Sequence, residues 1–265
     1  MNDDPAVFTR VLDGVLDRPP GPPVIVVDMS TNDDVRRVCG SRGAAVRYEP
    51  LPESGGVSHS RNRCVELADT ATVTFLDSDV FPEPGWFEPL VARLEEENVA
   101  VVGARALPAW EKRPPRLLTT MPAADWLSLF DLGDRALDVP RVIGSSYAIH
   151  RKRAPDPPFD ESIGRRPGWP LAMEENVLCD WVRDHGWRVV YEPASRVFHR
   201  IPPSRATWRW MWRRAYAAGR ETRVAGRSEP LPRERYGPRD LAFQAAVALP
   251  FFAGALRPPE ERPGG

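Results

Sequence analysis

Seven residues, Val73-Thr74-Phe75-Leu76-Asp77-Ser78-Asp79, constrain this chain more than any other stretch. The β-rich apolar run reads as a buried strand that stops in two carboxylates one residue apart, and Phe81-Pro82-Glu83-Pro84-Gly85 follows it. A strand ending in Asp-x-Asp delivers hard oxygen ligands to the carboxyl edge of a sheet, where open α/β folds bind their ligands. Mg²⁺ and Mn²⁺ are held by one or two carboxylates plus substrate phosphate oxygens, so the pair suits a nucleotide diphosphate carried by a divalent cation. Taken alone, Asp-x-Asp is also an ordinary strand followed by an Asp-rich turn. Its surroundings decide between the two.

Those surroundings alternate strand and helix. Ala6 to Leu16 carries apolar residues at helical spacing behind the helix start Asp4-Pro5, and Val24 to Asp28 reads as a fully buried strand. A helix to about Ser41 follows, then a strand at Ala44 to Tyr48, a helix at Val57 to Ala68, the Asp-x-Asp strand, a helix at Trp86 to Glu97 and a strand at Val99 to Ala106. Such alternation predicts a doubly wound, mainly parallel α/β sheet flanked by helices. The regularity fades from Leu107 to Pro140, with a helix near Ala124 to Phe130, and returns at Val142 to Ile149, where central Gly and Ser allow a ligand close to the backbone. Glu174 to His185 reads as a helix, Arg188 to Tyr191 and Val197 to His199 as two short strands, and Thr207 to Arg223 as a basic, aromatic helix. Arg227 to Pro238 reads as a linker, Asp240 to Leu256 as an apolar segment and the residues after Arg257 as a disordered tail.

Composition excludes several classes. A net charge of -1 gives no reason to expect a nucleic-acid partner. Cys39, Cys64 and Cys179 lack Cys-x-x-Cys spacing, which argues against a disulfide framework or structural zinc and for a reducing, cytoplasmic setting. The first thirty residues lack the pattern of a signal peptide, and no run approaches the roughly 20 apolar residues that span a bilayer.

Several segments in order resemble family 2 glycosyltransferases of the GT-A fold, over roughly Ala6 to Arg220. Val24 to Asp33 is similar to the family's nucleotide-site strand and loop, Gly55 to Arg63 to the segment before its metal motif, and Phe75-Leu76-Asp77-Ser78-Asp79 to that motif. Gly144 to Ile149 resembles its acceptor-side strand. Phe159-Asp160-Glu161, Glu174 to Leu178 and Gly186 to Tyr191 resemble the stretch bearing its Glu-Asp catalytic pair.

The resemblance implies a hexosyltransferase-like enzyme that moves a sugar with inversion from a nucleotide-diphosphate donor to an acceptor hydroxyl, with Mn²⁺ or Mg²⁺ as cofactor. Glu175 falls on the base position and is preferred to Glu174, although Glu stands where the family has Asp. Asp79 is the expected direct metal ligand, with Asp77 facing the ribose or reaching the metal through water. His199 resembles the histidine that completes the site. Asp28, Ser30 and Arg61 are expected on the donor, Arg61 at its diphosphate. Arg213 and Arg220 are expected to close over it. Each has a plainer reading beside this one: acidic residues favoured at a helix start for the Glu pair, a core histidine for His199, a solvated basic face for the arginines. Met29 stands where the family commonly has Asp or a small polar residue, which removes a hydrogen-bond acceptor for the base. A catalytically silent module that binds a sugar nucleotide or a partner protein is the alternative of a different class.

The expected organisation is a GT-A domain over 1–204, a basic, aromatic and apolar helical extension over 205–256, and a tail over 257–265. Arg and Trp in the extension suit peripheral contact with an anionic membrane face. The family's first strand has no counterpart before Asp3. Either the native start lies upstream, or the strands at Val24 and Val73 close up and pair directly.

Overall fold

The computed structural model describes residues 4–17, 21–51, 55–163, 173–224, 231–232 and 237–257. Most of the linker expected at Arg227 to Pro238, and the tail after Arg257, lie outside them. The elements run α1 (Pro5–Leu16), β1 (Val24–Asp28), α2 (Asp34–Gly40), β2 (Val46–Pro50), α3 (Gly56–Leu67), β3 (Thr72–Leu76), β4 (Val80–Pro82) and α4 (Glu88–Leu94). Then come β5 (Val99–Trp110), α5 (Met121–Trp126), β6 (Leu137–Asp138), β7 (Ser146–His150), α6 (Glu174–Asp184), β8 (Arg188–Ile201), α7 (Trp208–Val224) and α8 (Pro238–Leu256).

The strands form two sheets. β1 pairs in parallel with β2, and a larger sheet has the order β3-β7-β5-β8-β4, with β6 also on β8. β5 and β8 run in parallel; β7 is antiparallel to both β3 and β5, so β3, β5 and β8 share one direction and β7 is the reversed strand among them. This is the expected α/β class. The two short strands expected at Arg188 and Val197 are one strand, β8, because a register shift opposite Ala104 and Arg105 accommodates Pro193 without ending the pairing. Val142 to Ser145 precedes its strand, which starts only at Ser146.

Among the described residues β1 and β3 do not pair, so the expected closing-up does not occur. α3 packs against β1 instead.

The main core lies between the larger sheet and its helices, around the fully buried Tyr147, Tyr191, Phe130 and Phe159. Phe8, Leu12, Val35, Cys39 and Val46 join α1 and α2 to β2. A separate cluster of Leu118, Leu127, Ile201, Met211 and Phe243 seats α7 and α8 on the 116–130 segment. Those two helices touch backbone to backbone: a Cβ on Gly219 would stand 2.0 Å from the Phe251 carbonyl oxygen, and one on Gly254 2.0 Å from that of Tyr216.

Candidate active site

Strand register places the two aspartates. The backbone N–H of Asp77 donates to Ser145 O at 3.1 Å, carrying the β3–β7 ladder one step past the end of β3. Val80 N–H donates back to Asp77 O, which turns the chain, and β4 then pairs Val80 with His199. Asp79 therefore arrives beside His199, with its own carbonyl accepting from Arg200 N–H at 3.0 Å.

α3 contributes a buried polar face. Ser58, Arg61 and Asn62, spaced i, i+3 and i+4, are all buried. Ser58 donates to Ile163 O, and the Asn62 amide both donates to Phe159 O and accepts from Phe159 N–H, which ties the 159–163 loop to the helix. Arg61 is the hub. Its Nη1 donates to Glu174 Oε1 at 2.6 Å, and its Nη2 to Gly144 O at 3.1 Å and Asp77 Oδ1 at 3.3 Å. The rings of Tyr147 and Phe159 flank the guanidinium. The expected diphosphate ligand thus faces inward, toward protein groups.

Glu174 and Glu175 open α6 and diverge. Glu174 is buried, and beyond its Arg61 bond it accepts from Met173 N–H at 3.0 Å. Glu175 is half-buried, and its Oε2 is enclosed with no hydrogen-bond partner among the described residues. Burial first, then the neighbouring Glu174 charge, raises the Glu175 carboxyl to about 7 against the pull of Arg61. Gly144 makes this approach possible, since a Cβ there would stand 3.2 Å from Glu175 Oε1 and 3.3 Å from Arg61 Nη2. Asp77 is raised to about 6 by its crowded surroundings, with Arg61 opposing and Asp79 adding. Its side chain is 43% exposed, so solvent moderates that shift.

At the other aspartate, His199 Nδ1 lies 2.7 Å from Leu127 O. A carbonyl only accepts, so Nδ1 carries the proton, and in the neutral ring Nε2 is a bare acceptor turned toward Asp79 Oδ1 at 3.4 Å. This is the orientation that a metal-ligating histidine needs. Arg205 Nη1 stands 3.5 Å from Asp79 Oδ2 and 3.4 Å from His199 Nε2. Burial works against the Asp79 carboxylate, but His199 and Arg205 outweigh it and hold the group below its usual range. Carboxylate oxygen with imidazole nitrogen is a donor set that fits Mn²⁺. The described residues gather no group of three or more His, Cys, Asp or Glu able to hold a metal.

Asp28, at the carboxyl end of β1, accepts from Ser30 N–H at 2.8 Å and from the Tyr48 hydroxyl at 2.9 Å. Arg213 is exposed on α7, and Arg220 is half-buried on the same helix. The structure thus brings Arg61, Asp77, Glu174 and Glu175 together, and Asp79 with His199. Ser58, Asn62 and Arg205 are the site residues that sequence reasoning passed over. The i, i+3, i+4 spacing on α3 was a signal for the first two; nothing local marks Arg205.

Among solved structures the fold is similar to the Pyrobaculum calidifontis mannosyltransferase PcManGT in complex with GDP-Man and Mn²⁺, with a TM-score of 0.60 and 19% identity over 96% of this chain and 68% of that one. GalNAc-T7 with UDP, GalNAc and Mn²⁺ gives 0.57 and 13%, over 92% and 52%. These likenesses concern the fold, which is of the GT-A type. The sequence profile "Glycosyl transferase family 2" matches residues 2–154, more than half of the chain, and the chain belongs to that family. The glucosyl-dolichyl phosphate glucuronosyltransferase of Haloferax volcanii is 29% identical over 178 residues, which cover 65% of this chain and 56% of that protein. The pre-mycofactocin glycosyltransferase of Mycobacterium tuberculosis is 29% identical over 177 residues, covering 66% and 36%. The match therefore spans about half or less of these relatives' length.

Proposed function

We propose that the chain transfers a sugar, with inversion, from a nucleotide-diphosphate donor to an acceptor hydroxyl, using Glu175 as the base. The observation that carries the reading is the Glu175 carboxyl: one oxygen enclosed without a partner among the described residues, the group poised near 7, on a helix start fixed by the Arg61–Glu174 pair. A base of that pKa is half deprotonated near neutral pH and can take the acceptor proton as the hydroxyl attacks. Glu174, saturated by Arg61 and Met173 N–H, serves as the anchor of the helix start. Asp28 and Ser30 shape the nucleotide side, with Asp77 next to the donor and Arg213 and Arg220 over it.

Asp79 and His199 would hold a divalent cation, and the neighbours solved with Mn²⁺ support that choice. When bound, it supplies positive charge to the departing diphosphate. The test is transfer or donor hydrolysis with a panel of sugar nucleotides and Mn²⁺. Specific turnover lost in Glu175→Gln supports the enzyme, whereas binding without turnover by the native protein would favour a catalytically silent module.

The acceptor is proposed to reside at a membrane. The name of the Haloferax relative places a lipid phosphate on its acceptor side, and α8 exposes an apolar stripe while α7, packed against it, exposes Arg209 and Arg213. No helix of the described residues is long and apolar enough to cross a bilayer, and the contact proposed for α8 is peripheral.

A further inference from the structure

Among the described residues two arginine side chains touch the Asp-x-Asp motif, and they are held in different ways. Arg61 is bound into the interior by a 2.6 Å contact to Glu174. Arg205 is not. It sits in the turn between β8 and α7, where its N–H donates to Pro202 O, and its side chain remains 28% exposed. Its contacts with Asp79 and His199, at 3.5 and 3.4 Å, are longer than the roughly 2.7–2.9 Å of a strong charge-assisted hydrogen bond. One Nη1 atom serves both groups.

With Nδ1 donating to Leu127 O, His199 turns Nε2 to within 3.4 Å of Asp79 Oδ1, and Arg205 Nη1 lies within reach of both side chains. We propose that Arg205 is the resident counter-ion of this site, competing with the divalent cation for Asp79 and His199 and giving way when the cation binds. The inference rests on the proposed function and concerns how the same site is loaded. A cation about 2.1 Å from each donor would fit between atoms 3.4 Å apart, but not with a guanidinium nitrogen retained within reach of both. Arg205 can leave without disturbing the core, because its side chain is partly in solvent and, among the described residues, these two polar contacts are the ones that hold it. Once released it carries its charge toward any diphosphate that arrives with the cation, so cation and donor load together and the metal alone binds weakly.

The experiment titrates Mn²⁺ alone against the full chain, following free Mn²⁺ by electron paramagnetic resonance, with no nucleotide and no turnover in the readout. Arg205→Gln is expected to bind Mn²⁺ about five- to tenfold more tightly than the native protein, and Arg205→Lys to fall between them. Asp79→Asn in either background removes the tight site. Thermal unfolding supplies a second reading: Mn²⁺ should raise the Tm of Arg205→Gln more than that of the native chain. Equal Mn²⁺ affinity in native and Arg205→Gln proteins, both lost with Asp79→Asn, overturns the competition and leaves the cation site standing. Mn²⁺ binding that ignores Asp79→Asn, or none in any form, overturns the cation site as well.

Discussion

Arg61 Nη1 lies 2.6 Å from Glu174 Oε1 and joins α3 to the first residue of α6 across 113 positions of sequence. The side chains are 9% and 4% exposed, so neither charge has water to fall back on. Arg61→Met should cost about 3–5 kcal/mol in urea unfolding, because it leaves the Glu174 carboxylate buried and unpaired. The double change Arg61→Met with Glu174→Met should recover much of that loss, while activity stays low. A cost under about 1 kcal/mol for the single change is what a solvent-exposed pair would give, and it would refute this account.

The pH dependence follows from Glu175. Its carboxyl is raised from 4.5 to about 7, so the transfer rate should climb with pH through about 7 as the base loses its proton. Glu175→Gln should keep donor affinity and lower the rate by about 10²–10⁴-fold. Glu174→Gln removes the neighbouring charge and should move the limb of the profile to lower pH. The stability sign is opposite to that of activity. Between 4.5 and about 7 the unfolded chain has released this proton and the folded chain has not, so stability falls as pH rises across that window. Asp77, raised to about 6, adds to the same slope. An unfolding free energy that rises with pH there would contradict the assignment.

How much of this was legible beforehand depended on whether the signal was local. Apolar alternation fixed most elements, and the Asp-x-Asp and Glu-Glu pairs stood out because each lies within a few residues of a strand end or helix start. The fusion of two short strands into β8 was not legible, because Pro193 reads as a break unless the register shift opposite Ala104 and Arg105 is known. The inward turn of Arg61 depends on a partner 113 residues away, and the position of Arg205 beside Asp79 depends on the β4–β8 register. Neither leaves a mark in the residues around it.

Gly144 tests whether the base needs its tight setting. A methyl group there would stand 3.2 Å from Glu175 Oε1 and 3.3 Å from Arg61 Nη2, so one of the two must give way by a few tenths of an ångström. Gly144→Ala should therefore lower kcat by about tenfold with donor affinity and Tm close to native, since only the aim of the carboxyl changes. If Tm fell sharply while kcat held, Gly144 would be a packing residue and nothing more.

Asp79→Ala should abolish Mn²⁺-dependent donor binding and leave the fold intact. The backbone of Asp79 carries the structural contact, its carbonyl accepting from Arg200 N–H, and a change of side chain preserves it. Calorimetry with a nucleoside diphosphate, with and without Mn²⁺, reads the effect directly. Metal-dependent affinity equal to the native value would remove Asp79 from the site.

The outer face of α8 supplies the last prediction. Leu241, Leu249, Phe252 and Leu256 are 56, 82, 60 and 76% exposed. At 100° per residue they fall within one arc of about 80° on the helix. Phe243, Val247 and Gly254 occupy the opposite, buried side, and no charged side chain interrupts the segment between Leu241 and Leu256. Trp212 of α7, half exposed, donates its indole N–H to Ala246 O and so stands against α8, and Arg209 and Arg213 are exposed on the same helix α7. An apolar face together with basic residues suits an anionic lipid surface, and each Leu or Phe taken out of water contributes about 1.5–3 kcal/mol. Cutting the chain at Arg205 would be a poor test, because Met211 and Phe243 are part of the cluster around Ile201 and Leu127. The double change Leu249→Glu with Phe252→Glu is cleaner, since both side chains are already in water and Tm should hold. It should lower recovery on phosphatidylglycerol vesicles by at least roughly tenfold, given the burial energy of two such side chains. Recovery equal to that of the native chain, or a native chain that leaves the vesicles untouched, would end the case for a membrane-bound acceptor reached through this face.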